Sequence, residues 1–193
     1  MKVSITEKSA LIIVDVQTDF LPGGALPVPN GDLVIEPLNN YINLFKKKNL
    51  PIFATRDWHP RNHISFRERG GPWPPHCVQN TLGAEISGRL VLPSDARIVD
   101  KAFSPDKDAY SGFQETTLCL ELRELGVRRV LIGGLATDYC VKATVLDSIK
   151  LGFETILLLD AIKGVSPKDS EKAVREMILS GAIGIVSEDL ITD

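Results

Sequence analysis

The feature that most constrains this chain is its rhythm. Runs of branched apolar residues alternate with stretches of helical period almost from end to end. The runs are ALIIVDV (10–16), PIFAT (51–55), RIVDK (97–101), RVLIGGL (129–135), TILLLD (155–160) and AIGIV (182–186). A continuous apolar run suits a strand buried on both faces. Between the runs, Leu38, Ile42 and Phe45 form a helical stripe, with Pro37 in its first turn. Leu118, Leu122 and Leu125 form a second stripe, Val141, Val145, Leu146 and Ile149 a third, and Ala173, Val174, Met177 and Ile178 a fourth. Gly126, Gly152 and Gly181 stand just past the last three and read as stops. Strand, helix, strand, repeated, predicts right-handed βαβ units. The expected fold is a three-layer α/β/α arrangement around a six-stranded parallel sheet of order 3-2-1-4-5-6.

At 193 residues, one domain spanning 1–193 is expected, with a loop insertion at about 56–96. A loop that long is functional or disordered. Trp58 and Trp73 inside it argue for order. The net charge of −3 argues against a nucleic-acid or anionic-membrane partner, since both want a clustered basic face. The densest basic run, Lys46-Lys47-Lys48, falls at a helix end, where it is solvated and favoured by the helix dipole. No apolar run approaches the ~20 residues of a membrane span. The N-terminus, MKVSITEKSA, lacks the apolar core of a secretory signal. With no such signal, the odd set Cys77, Cys119 and Cys140 reads as free thiols in a reducing, cytoplasmic compartment. Assembly into a homo-oligomer is left open.

All three histidines lie between positions 59 and 76. Asp57 and His59 follow a strand two residues apart, so extended backbone points both the same way. A carboxylate and an imidazole so placed can converge on one ion, and His76 can join from the loop. An Asp/His/His set with open positions suits zinc, iron or manganese. The same residues would also serve as a turn carboxylate and surface imidazoles. His63 stays outside the ligand set: it either supports a ligand from behind or caps the turn around Ser65.

GGLATDYCVKAT (133–144) is the second informative stretch. A strand ends in Gly-Gly, the chain turns, and Cys140 stands where a helix begins. Free N–H groups there favour an anion and could lower the thiol to roughly 3.5–7.5. They could also hold an oxyanion. As a lone cysteine, Cys140 reads equally as a small buried hydrophobe. Asp15 and Lys101, however, also end strands. In the expected order, Asp15, Asp57, His59, Lys101 and Cys140 all fall on the carboxyl rim of the sheet, where parallel α/β folds build their sites.

Five blocks carry a resemblance: IIVDVQTDFLPGGALPV (12–28), TRDWHPRNHISF (55–66), GGPWPPHCVQNTLGAE (70–85), DAYSGF (108–113) and GLATDYCVKATVLD (134–147). In order and over nearly the whole chain, the sequence resembles the nicotinamidases of the cysteine hydrolase superfamily that also contains isochorismatase. The resemblance implies hydrolysis of nicotinamide, and of pyrazinamide, through a cysteine thioester in NAD salvage. It implies a triad of Asp15, Lys101 and Cys140 and metal ligands Asp57, His59 and His76, with zinc foremost. It also implies an aromatic substrate slot from Phe20, Trp73 and Tyr110, a cis peptide between Leu135 and Ala136, and an oxyanion hole of the Ala136 and Cys140 N–H groups. Isochorismatase-type members lack the Asp-x-His…His set. An iron oxygenase built on the same ligands would leave Cys140 idle. Cys77, beside His76, invites a metal or redox role, whereas Cys119 belongs to a packed helical stripe.

Overall fold

The chain begins with a two-residue strand, β1 (Val3–Ser4), and every apolar run that follows is a strand: β2 (Ser9–Val14), β3 (Ile52–Asp57), β4 (Arg97–Lys101), β5 (Arg129–Leu135), β6 (Glu154–Lys163) and β7 (Ile183–Ile185). A last short strand, β8 (Leu190–Ile191), pairs with β1 in a separate ladder. The structure is a computed structural model and describes residues 2–191. Strands β2 to β7 form one sheet in the order β4-β3-β2-β5-β6-β7, with every pairing parallel. This is the expected 3-2-1-4-5-6 order, its numbers raised by one because β1 precedes.

Strand β2 explains the three layers. Its side chains alternate between two cores, and all are buried. Leu11 and Ile13 face the core that receives Leu38, Ile42 and Phe45 of α1 (Ile35–Lys47). Ala10, Ile12 and Val14 face the other. That core takes Leu118 and Leu122 from α2 (Leu118–Glu124), Val145 from α3 (Lys142–Lys150), and Ala173 and Met177 from α4 (Pro167–Leu179). Each fully buried side chain of this size contributes about 1.5–3 kcal/mol. Burial on both faces is why β2 reads as unbroken apolar sequence.

The stripes are narrower than expected. Leu125 lies past the end of α2 and Ile178 on the flank of α4, and they are 43% and 40% exposed. Strand ends also differ from the apolar runs, because pairing rather than apolarity sets them. β3 runs on to Asp57, which pairs with Lys101. β2 stops at Val14, and Asp15 turns away at φ +48°. β6 resumes pairing after a bulge, Gly134 with Ile162, and so continues past Asp160.

The 56–96 segment is ordered by backbone bonds rather than by regular elements. Arg67 N–H donates to the Trp73 carbonyl at 2.8 Å, and Trp73 N–H to that of Ser65 at 3.0 Å. Its far part ties back to the chain after β2: Thr18 N–H bonds Glu85 and Ser87 N–H bonds Val16. Among the described residues, no helix is long and apolar enough to cross a membrane.

One contact sets how closely β5 approaches β2. Gly134 has φ +123°, and a Cβ there would stand 2.1 Å from the Val14 carbonyl oxygen. The obstacle is backbone, so a side chain cannot be accommodated by rotamer change. Gly134→Ala is therefore expected to destabilise the fold by roughly 2 kcal/mol or more. Urea unfolding of the two proteins measures the difference.

Candidate active site

Four strand ends meet at one rim. Register pairs Val14 with Thr55 and with Gly134, and Asp57 with Lys101. Asp15 follows β2, Asp57 ends β3, Lys101 ends β4, and Cys140 follows β5 in a π-helical turn (Thr137–Val141) that leads into α3. The Ala136 carbonyl accepts the Tyr139 and Val141 N–H groups at 3.0 and 3.1 Å, which closes this turn. The Leu135–Ala136 peptide is cis, as the resemblance implied.

Lys101 is the centre of the arrangement and is wholly buried. Its Nζ lies 2.5 Å from Asp57 Oδ1, 3.0 Å from Asp15 Oδ2, 3.1 Å from the Ala109 carbonyl oxygen and 3.5 Å from Cys140 Sγ. The acceptor atoms of Asp15, Asp57 and Cys140 all lie within 4.8 Å of one another. Thr55 Oγ1 donates to Asp15 Oδ1 at 2.6 Å. Asp15 Oδ2 accepts no oriented hydrogen bond although it is buried, so a lone pair there remains open to a proton.

The two carboxylates are pushed apart. Burial raises Asp15, and Lys101 only partly offsets it. Burial also opposes the charge on Asp57, but the Lys101 ammonium, helped by His59 and the short hydrogen bond, holds it below the usual carboxylate range. Lys101 itself stays protonated: burial disfavours its charge, yet Asp15 and Asp57 together raise it well above the ordinary lysine value. Carboxylates separated in this way take different roles, one a base and one a fixed anion. Cys140 shifts the other way from a thiol governed by a helix N-terminus alone. Burial drives its thiol well up, and Asp15 and Asp57 add to this against the opposing Lys101. The resting group is a thiol rather than the thiolate that a helix N-terminus alone would favour.

The Asp57 oxygen that meets Lys101 also approaches the histidines. This Oδ1 is 3.8 Å from His59 Nε2, within the ~4.2 Å that two ligands at ~2.1 Å can span. His59 Nδ1–H donates to the His76 carbonyl at 3.1 Å, and His76 Nδ1–H to that of Pro74 at 2.8 Å. Both rings thus keep Nε2 for an ion. Burial pulls His59 down to about 4 and lowers His76, so both are neutral near pH 7 and can act as donors. One donor atom from each of Asp57, His59 and His76 lies within 4.8 Å of the others. The donor set fits one small divalent cation with open positions.

His63 is not among these ligands. Its Nδ1 accepts from Ser65, and its Nε2–H donates to the Lys107 carbonyl at 3.0 Å. Its ring stacks on His59 at 4.2 Å, so it caps the Ser65 turn and buttresses the ligand. Cys77 is buried, burial raises its thiol, and it joins no candidate metal group among the described residues.

Beside the sulfur lies a cavity of about 70 Å³. Phe20, Trp73 and Tyr110 line it, with Asp57, His76, Ala136 and Cys140. Trp73 Nε1–H donates to Tyr110 Oη at 3.1 Å and so fixes the indole. Larger hollows elsewhere, of about 450 and 590 Å³, carry none of these residues. The sequence reading missed several contributors. Tyr139 lines the same cavity and packs edge-on against Trp73 at 5.2 Å. Asp138 accepts Val165 and Ser166 N–H at 3.0 Å each, which brings Val165 to the cavity wall. Gln17 bonds both the N–H and the carbonyl of Asp57 at 2.8 Å. Only Tyr139 carried a signal, its place beside Cys140.

The isochorismatase domain model matches residues 9–189. The chain belongs to the isochorismatase family. Within the family it is 38% identical to the nicotinamidase of Escherichia coli over 90% of this chain and 92% of that protein. The pyrazinamidase of Pyrococcus horikoshii, solved in complex with zinc, shares 59% identity with a TM-score of 0.91, covering 93% of this chain and 99% of its own. A protein of L. infantum, solved in complex with nicotinate, is 34% identical with a TM-score of 0.94 over the full length of both chains.

Two outcomes follow from the electrostatics. Lys101→Met leaves two carboxylates buried without their cation and should cost about 3–5 kcal/mol at pH 7. The ion pair that holds Asp57 low stabilises the fold above the unfolded value of ~3.9 and is lost as pH falls through the folded value. The deficit in metal-stripped Lys101→Met must therefore shrink on acidification, and urea titrations at neutral and acidic pH read it. Thr55→Val removes a hydrogen bond that lowers Asp15. Its Asp15 should take up a proton at higher pH, so the acid limb of kcat/KM moves upward.

Proposed function

We propose that this chain hydrolyses nicotinamide to nicotinate and ammonia, a step of NAD salvage, and pyrazinamide by the same route. The observation that carries the reading is a thiol 3.5 Å from a buried ammonium that also touches two carboxylates, all opening on one small aromatic cavity beside an Asp/His/His donor set.

Asp15 takes the Cys140 proton on Oδ2, the oxygen without an oriented donor. Lys101 makes that transfer feasible, because its charge stabilises the sulfur anion as it forms. The thiolate attacks the carboxamide carbon, and the Ala136 and Cys140 N–H groups receive the oxyanion; both residues line the cavity. One such donor is worth about 2.7–4 kcal/mol. Asp15 returns the proton to the nitrogen, ammonia leaves, and a thioester remains on Cys140. Water, deprotonated by Asp15, then releases the acid and restores the thiol. Burial raises Asp15 and so makes it a better proton acceptor for the Cys140 thiol.

Phe20, Trp73 and Tyr110 hold the ring and exclude water. Asp57, His59 and His76 would hold the metal, for which zinc is the first choice and iron or manganese also fit the donors. When bound, the ion supplies a Lewis acid for the ring-nitrogen lone pair, which orients the substrate. Three unpaired cysteines accord with the cytoplasm as its compartment.

The test is ammonia release from nicotinamide and from benzamide, with wild type and Cys140→Ala side by side. Wild type should release ammonia from nicotinamide and be poor on benzamide, and Cys140→Ala should lose at least about 10³-fold in kcat. Equal turnover of benzamide would remove the role given to the ring nitrogen.

A further inference from the structure

Two of the three metal ligands depend on one turn. Cys77, next to His76, has φ +46°, a left-handed backbone in a residue with a side chain. Such backbone persists only where its surroundings hold it. The Cys77 carbonyl accepts His59 N–H at 3.0 Å, and the His76 carbonyl accepts His59 Nδ1–H at 3.1 Å. The turn therefore presents the His76 ring, anchors the His59 backbone and selects the His59 tautomer. On its other side a single side chain ties it down: Cys77 N–H donates to Asp19 Oδ2 at 2.7 Å.

Asp19 is itself braced. Its Oδ1 accepts Ala25 N–H at 3.1 Å and its carbonyl accepts Leu26 N–H at 3.0 Å. Gly83 leaves the space its carboxylate occupies: a Cβ there would stand 2.1 Å from Oδ2. A charged acceptor makes such bonds about twice as strong as neutral ones.

We propose that Asp19 is a positioning residue of the metal site, locking the 76–77 turn so that His59 and His76 present Nε2 to the same ion as Asp57. The inference rests on the reading of Asp57, His59 and His76 as metal ligands. Groups behind metal-bound histidines typically set affinity by 10–100-fold, about the effect expected here.

The experiment strips wild type, Asp19→Ala, Asp19→Asn and Gly83→Ala of metal and titrates each with zinc against a chromophoric chelator. Asp19→Ala should bind zinc about 10–100-fold more weakly. Gly83→Ala, which keeps the carboxylate but displaces it, should weaken binding in the same direction. Asp19→Asn should lose less, since its amide oxygen can keep one of the two N–H bonds. Cobalt-loaded Asp19→Ala and Gly83→Ala should differ from wild type in their visible spectra. Circular dichroism establishes which variants fold, and Gly83→Ala carries the test if Asp19→Ala does not. Folded Asp19→Ala or Gly83→Ala with wild-type zinc affinity would overturn the proposal. Wild type that holds no zinc would instead overturn the ligand reading, and the proposal with it.

Discussion

The site depends on one buried ammonium. Lys101 has no solvent contact, and a charge so placed requires partners. It has four within 3.5 Å: two carboxylates, a carbonyl and a thiol. Those partners come from the ends of β2 and β3, the segment after β4 and the turn after β5, so the parallel register of the sheet is what assembles them. The unequal distances matter as much as the contacts. Lys101 sits closer to Asp57 than to Asp15, and the two acids separate accordingly, one held ionised and the other lifted towards protonation. Asp57, in turn, lies between the ammonium and the histidine pair, so the proposed proton-transfer group and the proposed cation site are joined through one carboxylate.

The surrounding structure makes these positions rigid. Gln17 clamps both backbone groups of Asp57 from a segment 40 residues away. The 56–96 segment returns twice to the chain near β2, which carries Trp73 and His76 over the rim. Its order comes from backbone hydrogen bonds within the chain and buried rings such as Phe66 rather than from long regular elements. Asp138, next to the nucleophile turn, holds the opposite wall of the cavity through Val165. A slot that is narrow and walled by aromatic rings on several separate segments suits a flat ring.

Much of this was legible in sequence because the signals are local. Unbroken apolar runs marked the strands, a 3-2-1-4-5-6 order put the candidate residues on one rim, and the Asp-x-His pair and Cys140 at the head of a helix stood out by position. What was not legible arises between distant segments. Thr55, Gln17 and Asp19 look like ordinary polar residues until the fold brings them against Asp15, Asp57 and the 76–77 turn. The state of Cys140 likewise depends on distant segments. A helix N-terminus favours a thiolate, but it acts weakly beside full burial and two neighbouring carboxylates, neither of which a local reading can weigh.

In the proposed reaction the Cys140 sulfur, and no other thiol, carries the acyl group. Acid-quenched turnover with nicotinamide, followed by peptide mass spectrometry, reads this directly. A nicotinoyl thioester is expected on the peptide containing Cys140 alone, and none when Asp15→Asn is used. An adduct on Cys77 or Cys119, or undiminished accumulation in Asp15→Asn, would contradict it.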